Sequence, residues 1–329
     1  MARLAAVTGA TGFLGRYIVG ALAAAGWRVR ILARRKPDHP QLEHLEFETI
    51  RGDLSDAHAL RELVEGADTV IHAAALIKAR SAAAFRAVNV GGTANLAKAL
   101  NDCRRTSSVV LVSSMAAREP HLSTYARTKR TSEETLANLL QMRHTWTVVR
   151  PCAIYGPWDR ETLGIFRIVL RGIAPQVPVV NARIALLHAA DAARAIAAIC
   201  DRGSAGAILE LTDERAEGYA WEEIISAAER ALRVKAAAIR VPGAALRTAA
   251  ALNLVTAWAL GRTPMLTPGK AREILHADWG SRAERQPPRE WWQPEIGLER
   301  GFGETVNWYR HRRWLSPAPS RLAARGALH

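Results

Sequence analysis

Apolar residues in the first half of the chain come in short continuous runs, separated by stretches with helical spacing. Runs at 4–8, 27–33, 47–51, 68–72, 109–113 and 146–150 predict six strands. The run Val109-Val110-Leu111-Val112 has the near-continuous apolar character of a strand buried on both faces. Between the runs, 13–25, 56–64, a stretch through 89–95 and the pattern opening at Tyr125 predict helices, the first stopped by Gly26. Strands alternating with helices in this way predict an α/β fold with a doubly wound parallel sheet.

Beyond Pro157 the pattern is less regular. Residues 163–171 read as a helix leading into a second lobe, and 185–200 as a strand edge and helix returning to the first domain. A short strand at 208–211, an amphipathic helix at 221–232 and a closing helix at 298–310 follow. The expected division is a nucleotide-binding domain over 1–157 with 183–203 returning to it, an interleaved α/β substrate lobe from 158–182 and 204–315, and a flexible tail at 316–329. The apolar stretch 244–260, interrupted by Arg247 and Asn253, admits three readings. It is a buried or capping helix of the lobe, a membrane-surface helix, or a spanning segment, for which it is short.

Composition narrows the class. A chain of 329 residues, 49% hydrophobic and 23% charged, suits a globular protein with a sizeable core. The first strand begins almost at Met1 without the regions of a signal peptide, and Cys103, Cys152 and Cys200 are scattered. A reduced, cytoplasmic protein is therefore expected. No His/Cys spacing resembles a metal site. The net charge of +14 comes from dispersed Arg residues with no aromatic-basic stripe. That reads as a surface suited to an anionic cofactor, not to nucleic acid.

The candidate chemistry starts at Gly9, Gly12 and Gly15, between the first strand and the first helix. Residues without a Cβ let the backbone approach a pyrophosphate, and the helix end offers unpaired N–H groups to hold it. After the second strand stand Arg34, Arg35 and Lys36, where an acid would bind the ribose 2′-hydroxyl of NAD. Guanidinium groups suit a 2′-phosphate, so NADP(H) is preferred, with NAD(H) as the other possibility. Ser113-Ser114 ends the fifth strand, and Tyr125 and Lys129, four residues apart, share one helix face. An ammonium beside a phenol lowers its pKa, and a serine hydroxyl can bond the same substrate oxygen.

These pieces together resemble the extended short-chain dehydrogenase/reductases, also called the NAD-dependent epimerase/dehydratase family. The match runs through Thr8 to Gly15, Gly52-Asp53-Leu54, Val70 to Ala75, Asn89-Val90-Gly91-Gly92-Thr93, Val112 to Ser114, Tyr125 to Lys129, Arg150-Pro151, Ile154 to Pro157, and Leu187-His188 with Asp191 to Ala195. The resemblance implies a Rossmann-type domain. It implies that Gly9, Thr11, Gly12, Phe13, Leu14 and Gly15 cradle the pyrophosphate, that Asp53 and Leu54 flank the adenine, and that Ala73, Ala74 and Ala75 run past the ribose and nicotinamide side. It implies Tyr125 as proton donor and acceptor, Lys129 on the nicotinamide ribose, and Ser114 on the substrate oxygen. Asn89, Pro151 and Ile154 complete the implied cofactor-binding set. The segments 244–260, 266–268 and 276–279 look most like the 3β-hydroxysteroid dehydrogenase and dihydroflavonol reductase branch. Only 11 residues (125 − 114) separate Ser114 from Tyr125, where many members insert a longer substrate-facing loop.

The expectation is an NADP(H)-dependent oxidoreductase that interconverts a ketone and a secondary alcohol on a mostly apolar small-molecule substrate. The alternatives are an NDP-sugar epimerase or dehydratase with retained NAD, and a catalytically silent cofactor-binding protein. Peripheral membrane contact through 244–260 and a homodimer stay open.

Overall fold

The computed structural model describes residues 3–202, 206–264 and 266–316, so the expected tail lies outside the described residues apart from Ser316. Each apolar run of the first half forms a strand: β1 (Leu4–Thr8), β2 (Arg28–Ala33), β3 (Glu48–Arg51), β4 (Thr69–His72), β5 (Ser108–Val112) and β6 (Thr145–Pro151). A seventh strand, Ala207–Leu211, pairs parallel with β6. From that edge the order across the sheet is Ala207–Leu211, β6, β5, β4, β1, β2, β3. Residues 204–315 are expected in the substrate lobe, yet their first strand completes this sheet, covering an edge that β6 would otherwise leave unpaired.

Both faces of the sheet are covered, which is why its strands read as continuous apolar runs. On one face α1 (Phe13–Ala24) and the helix Ala189–Arg202 pack Ile18, Leu22, Ile196 and Ile199 onto Val7, Ile31 and Val149. On the other, α2 (Ala57–Val64) and the helices Gly92–Asp102 and Thr124–Leu139 pack Leu60, Leu63, Leu96, Leu100 and Leu136 onto Val70, Val109 and Val148. The chain runs outward from β1 to β3 and then returns to β4 on the other side of β1. The chain leaves β1 for a helix on one face and β4 for helices on the other, which puts the switch point, and with it the crevice where open α/β sheets bind ligands, at their carboxyl edge.

The helices Leu163–Leu170, Trp221–Leu232 and Leu298–His311 enclose a third core around Phe166, Ile224, Phe302 and Tyr309. Three separate two-stranded parallel pairs lie outside the main sheet: Ala153–Tyr155 with Leu186–His188, Ile173–Gln176 with Ala237–Arg240, and Arg183–Ile184 with Asp278–Trp279. The apolar stretch forms the helix Gly243–Ala259, which is largely exposed and so is not the buried form of the buried-or-capping helix expected for the lobe. Its contacts fall on small residues such as Ala250 and Ala257, while Leu252 and Val255 are each 62% exposed. No described helix is long and apolar enough to cross a membrane.

Candidate functional site

The turn after β1 is built so that nothing but glycine fits. Gly9 has φ +76°, and a Cβ there would lie 2.5 Å from the Ala74 backbone nitrogen. A Cβ at Gly15 would lie 2.0 Å from the Gly9 carbonyl oxygen. The Gly12 N–H closes the turn onto Gly9 O at 3.0 Å, and α1 starts at Phe13 with no side chain capping it. Its first N–H groups face the crevice uncapped. Outside the turn, Arg16 donates to Thr11 O (2.7 Å) and to Gln41 Oε1 (2.9 Å), holding Thr11 in place.

Polar groups stitch the strand ends together. The Thr93 hydroxyl donates to Asn89 O, so it accepts from His72 Nε2 at 3.0 Å. His72 Nδ1 is then the bare nitrogen and accepts from the Thr8 hydroxyl at 2.7 Å. Burial, followed by the charge of Lys129, pushes His72 down to about 3, so the ring stays neutral. Thr8 Oγ1 also accepts from Ala74 N (3.3 Å), which fixes Ala73 to Ala75 against Gly9.

Asn89 sits in a single π-helical turn, Arg86–Gly91. Its side-chain oxygen accepts from Leu76 N (2.7 Å), and its amide donates to Leu76 O and Thr128 Oγ1 (both 3.1 Å). The Asn89 amide is thus committed to clamping the loop after β4 onto the helix that carries Tyr125 and Lys129.

That helix starts at Thr124, with the Ser123 hydroxyl accepting from Ala126 N at 2.9 Å. Tyr125 is partly buried, and Ser114, whose hydroxyl accepts from Ala116 N at 3.2 Å, lies near enough to its phenol to lower the phenol pKa. The two serines after β5 divide their work. The Ser113 hydroxyl donates to Glu133, which is itself gripped by Arg150 at 2.6 and 2.9 Å. Ser114 is left to face Tyr125. The Lys129 ammonium donates to Val112 O at 2.6 Å, and burial, partly offset by Glu133, lowers its pKa to about 8. Burial raises Tyr125 to about 12; Ser114 pulls it down and the charge of Glu273 pushes it up. The groups that set the phenol are therefore Ser114 and Glu273, because the ammonium expected to tune it is turned toward the end of β5.

Arg34 and Arg35 follow directly on β2 and are exposed. Asp53 accepts from Ser55 N and Oγ (2.8 and 2.6 Å); these bonds hold its carboxyl below the usual range, with the Arg34 charge assisting. Leu54 seats against Gly92, where a Cβ would lie 2.5 Å from its Cδ1. Pro151 ends β6, buried, and Ile154 lies in the short strand beyond it, packed on the sheet's core.

Two residues were not legible as site residues. The Phe85 ring lies 6.4 Å from the Tyr125 ring. Glu273, only 7% exposed, accepts from the Ser123 hydroxyl and, at 3.2 Å, from Lys270. It belongs to the short helix Pro268–Ile274, which also bonds Leu122 O through Arg272 Nε at 2.7 Å. The one sequence signal for Glu273 is that it ends the acid-free stretch 230–272.

The crevice fits a dinucleotide: it offers a cradle that a side chain would fill, an uncapped helix start, and two exposed arginines after β2. Comparison with known proteins agrees. Residues 5–211 match the model of the NAD dependent epimerase/dehydratase family. The chain is 44% identical over 316 residues to ceramide reductase of Caulobacter vibrioides, covering 94% of this chain and 95% of that protein. It is 34% identical over 184 residues to sterol demethylase protein B of Methylococcus capsulatus, covering 50% of this chain and 55% of that one. Thermus thermophilus UDP-glucose 4-epimerase in complex with NAD superposes with a TM-score of 0.65 at 21% identity, over 94% of this chain and 99% of that one; at that identity the likeness is one of fold.

Proposed function

Because the chain belongs to the NAD dependent epimerase/dehydratase family, we propose that its site reduces a ketone to a secondary alcohol on a long-chain, ceramide-like lipid, with NADP(H) as the preferred dinucleotide. It is an NAD(P)-dependent oxidoreductase of the short-chain dehydrogenase/reductase superfamily. The observation that carries the proposal is the Ser114–Tyr125 pair, with Lys129 one helical turn away, at the strand edge that also bears the glycine cradle.

The bound dinucleotide supplies the hydride that reaches the carbonyl carbon. Gly9, Gly12 and the start of α1 hold its pyrophosphate, and Arg34 and Arg35 its 2′-phosphate. The chain's own part is the proton. Ser114 and Tyr125 both donate to the substrate oxygen. With a pKa of about 12, Tyr125 is protonated at neutral pH and is the donor a reduction needs. A C–H and an O–H bond form, the C=O π bond and the phenol O–H bond break, and the phenolate left behind regains its proton from water. Ceramide carries one secondary alcohol, on the carbon next to the one bearing the amide. The matching ketone is the substrate class this chemistry calls for.

The test is NADPH consumption with such a long-chain N-acyl amino ketone. Tyr125→Phe is expected to lower kcat by at least about 100-fold, the low end of what a positioned acid supplies. NADPH affinity should stay within about twofold of wild type, since general-acid loss leaves binding in place. Full turnover by Tyr125→Phe would sink the mechanism. Turnover of a UDP-sugar with no added cofactor would favour the epimerase alternative.

A further inference from the structure

We propose that the helix Gly243–Ala259, together with the loop that carries Ile77 and Arg80, forms a face that docks on an anionic lipid bilayer. The inference deepens the lipid-substrate reading and rests on it only for what the face would deliver.

The first observation is apolar surface where none is expected. Leu252 and Val255 are each 62% exposed and Leu260 is 66% exposed. A helix on a protein surface ordinarily shows water its polar side. Here Asn253, the most polar residue near the middle, is half-buried and accepts from Leu266 N at 3.0 Å.

The second is position. Past the end of this helix, Gly261 comes within 3.8 Å of the Arg80 guanidinium, measured from the place a Cβ would take. Arg80 and the 57%-exposed Ile77 stand on the loop that leads to Phe85, and Phe85 lies against Tyr125. On the other side, the chain continues into Pro268–Ile274, whose Glu273 holds Ser123. The apolar face therefore borders the approach to the Ser114–Tyr125 pair.

The third is charge. No acid occurs between Glu229 and Glu273, nor between Asp68 and Asp102. Arg240, Arg247, Arg262 and Arg80 are all exposed, and they stand at the ends and flanks of the apolar helix. Apolar side chains ringed by cations match a layer of anionic headgroups over hydrocarbon. The same ring repels a second copy of the chain, which argues against this face as a dimer interface.

The experiment is sedimentation of the full chain with vesicles of phosphatidylcholine alone or with about one-third phosphatidylglycerol, the anionic component that draws basic residues. The expected result is binding that rises with phosphatidylglycerol and falls with salt. Leu252→Asp with Val255→Asp should weaken binding at least about tenfold, because it places charge where apolar area would be buried. NADPH affinity and melting temperature should match wild type, since both side chains are already in water. Tyr125→Phe should pellet like wild type, so failure of the catalytic reading leaves this result standing. Three results would overturn the proposal: wild type remaining in the supernatant with anionic vesicles, the double variant binding as wild type does, or light scattering finding a dimer that the double variant splits.

Discussion

At Tyr125 the opposing effects can be named. Burial and the Glu273 carboxylate favour the neutral phenol, while the nearby Ser114 favours the phenolate. Replacing Glu273 with Gln keeps a hydrogen-bonding group for Ser123 and removes the negative charge. The phenol pKa then falls, so the alkaline loss of reductive kcat/KM begins at lower pH in Glu273→Gln than in wild type. The measurement is a pH profile from 7 to 11. Overlapping profiles would mean that Glu273 does not act on the reacting proton. Unchanged NADPH affinity would separate this charge effect from a loosened helix start.

Among the elements, legibility followed how locally each one is determined. The turn from Gly9 to Gly15 was readable because adding a Cβ at 9 or 15 collides with backbone, so the glycines announce themselves. The doubly wound sheet was readable because burial on both faces leaves apolar runs at β1, β4 and β5. The π turn at Arg86–Gly91 was not. Asn89 is placed there by partners at 76 and 128, and nothing in the local composition encodes that. The helix Pro268–Ile274, with only 7 residues, is too short to carry a periodicity, so Glu273 went unnoticed. The end of β2 gives the test at this scale. Arg34→Ala should raise the Kd for NADPH about tenfold or more, the worth of a charge-assisted hydrogen bond, and leave NADH affinity nearly unchanged. Titration of both dinucleotides by fluorescence measures this. Equal losses for the two would remove Arg34 from the 2′-phosphate.

At the scale of the molecule, one buried carboxylate ties the lobe to the sheet. Asp191, fully buried on the helix that covers α1, pairs with Arg194 and accepts from Glu295 N (3.1 Å) and Ile296 N (2.9 Å). Those two residues lead directly into Leu298–His311, which closes the lobe's core. Asp191→Ala would leave two backbone donors without their acceptor and Arg194 with Glu295 as its remaining partner, at a cost of about 2–4 kcal/mol. Urea unfolding measures it, and a loss below about 0.5 kcal/mol, the size of a neutral surface change, would refute the tie.

The edge strand Ala207–Leu211 and the helix Ala189–Arg202 have a consequence for engineering. Both serve the nucleotide side of the molecule, yet they lie in the chain between segments that build the other lobe. A chimera that exchanged everything after Pro157 with a relative would set a foreign edge strand against β6 and a foreign helix against α1. Substrate preference is therefore not portable as one cassette in this protein. It would have to be transplanted as separate pieces spliced around that strand and helix.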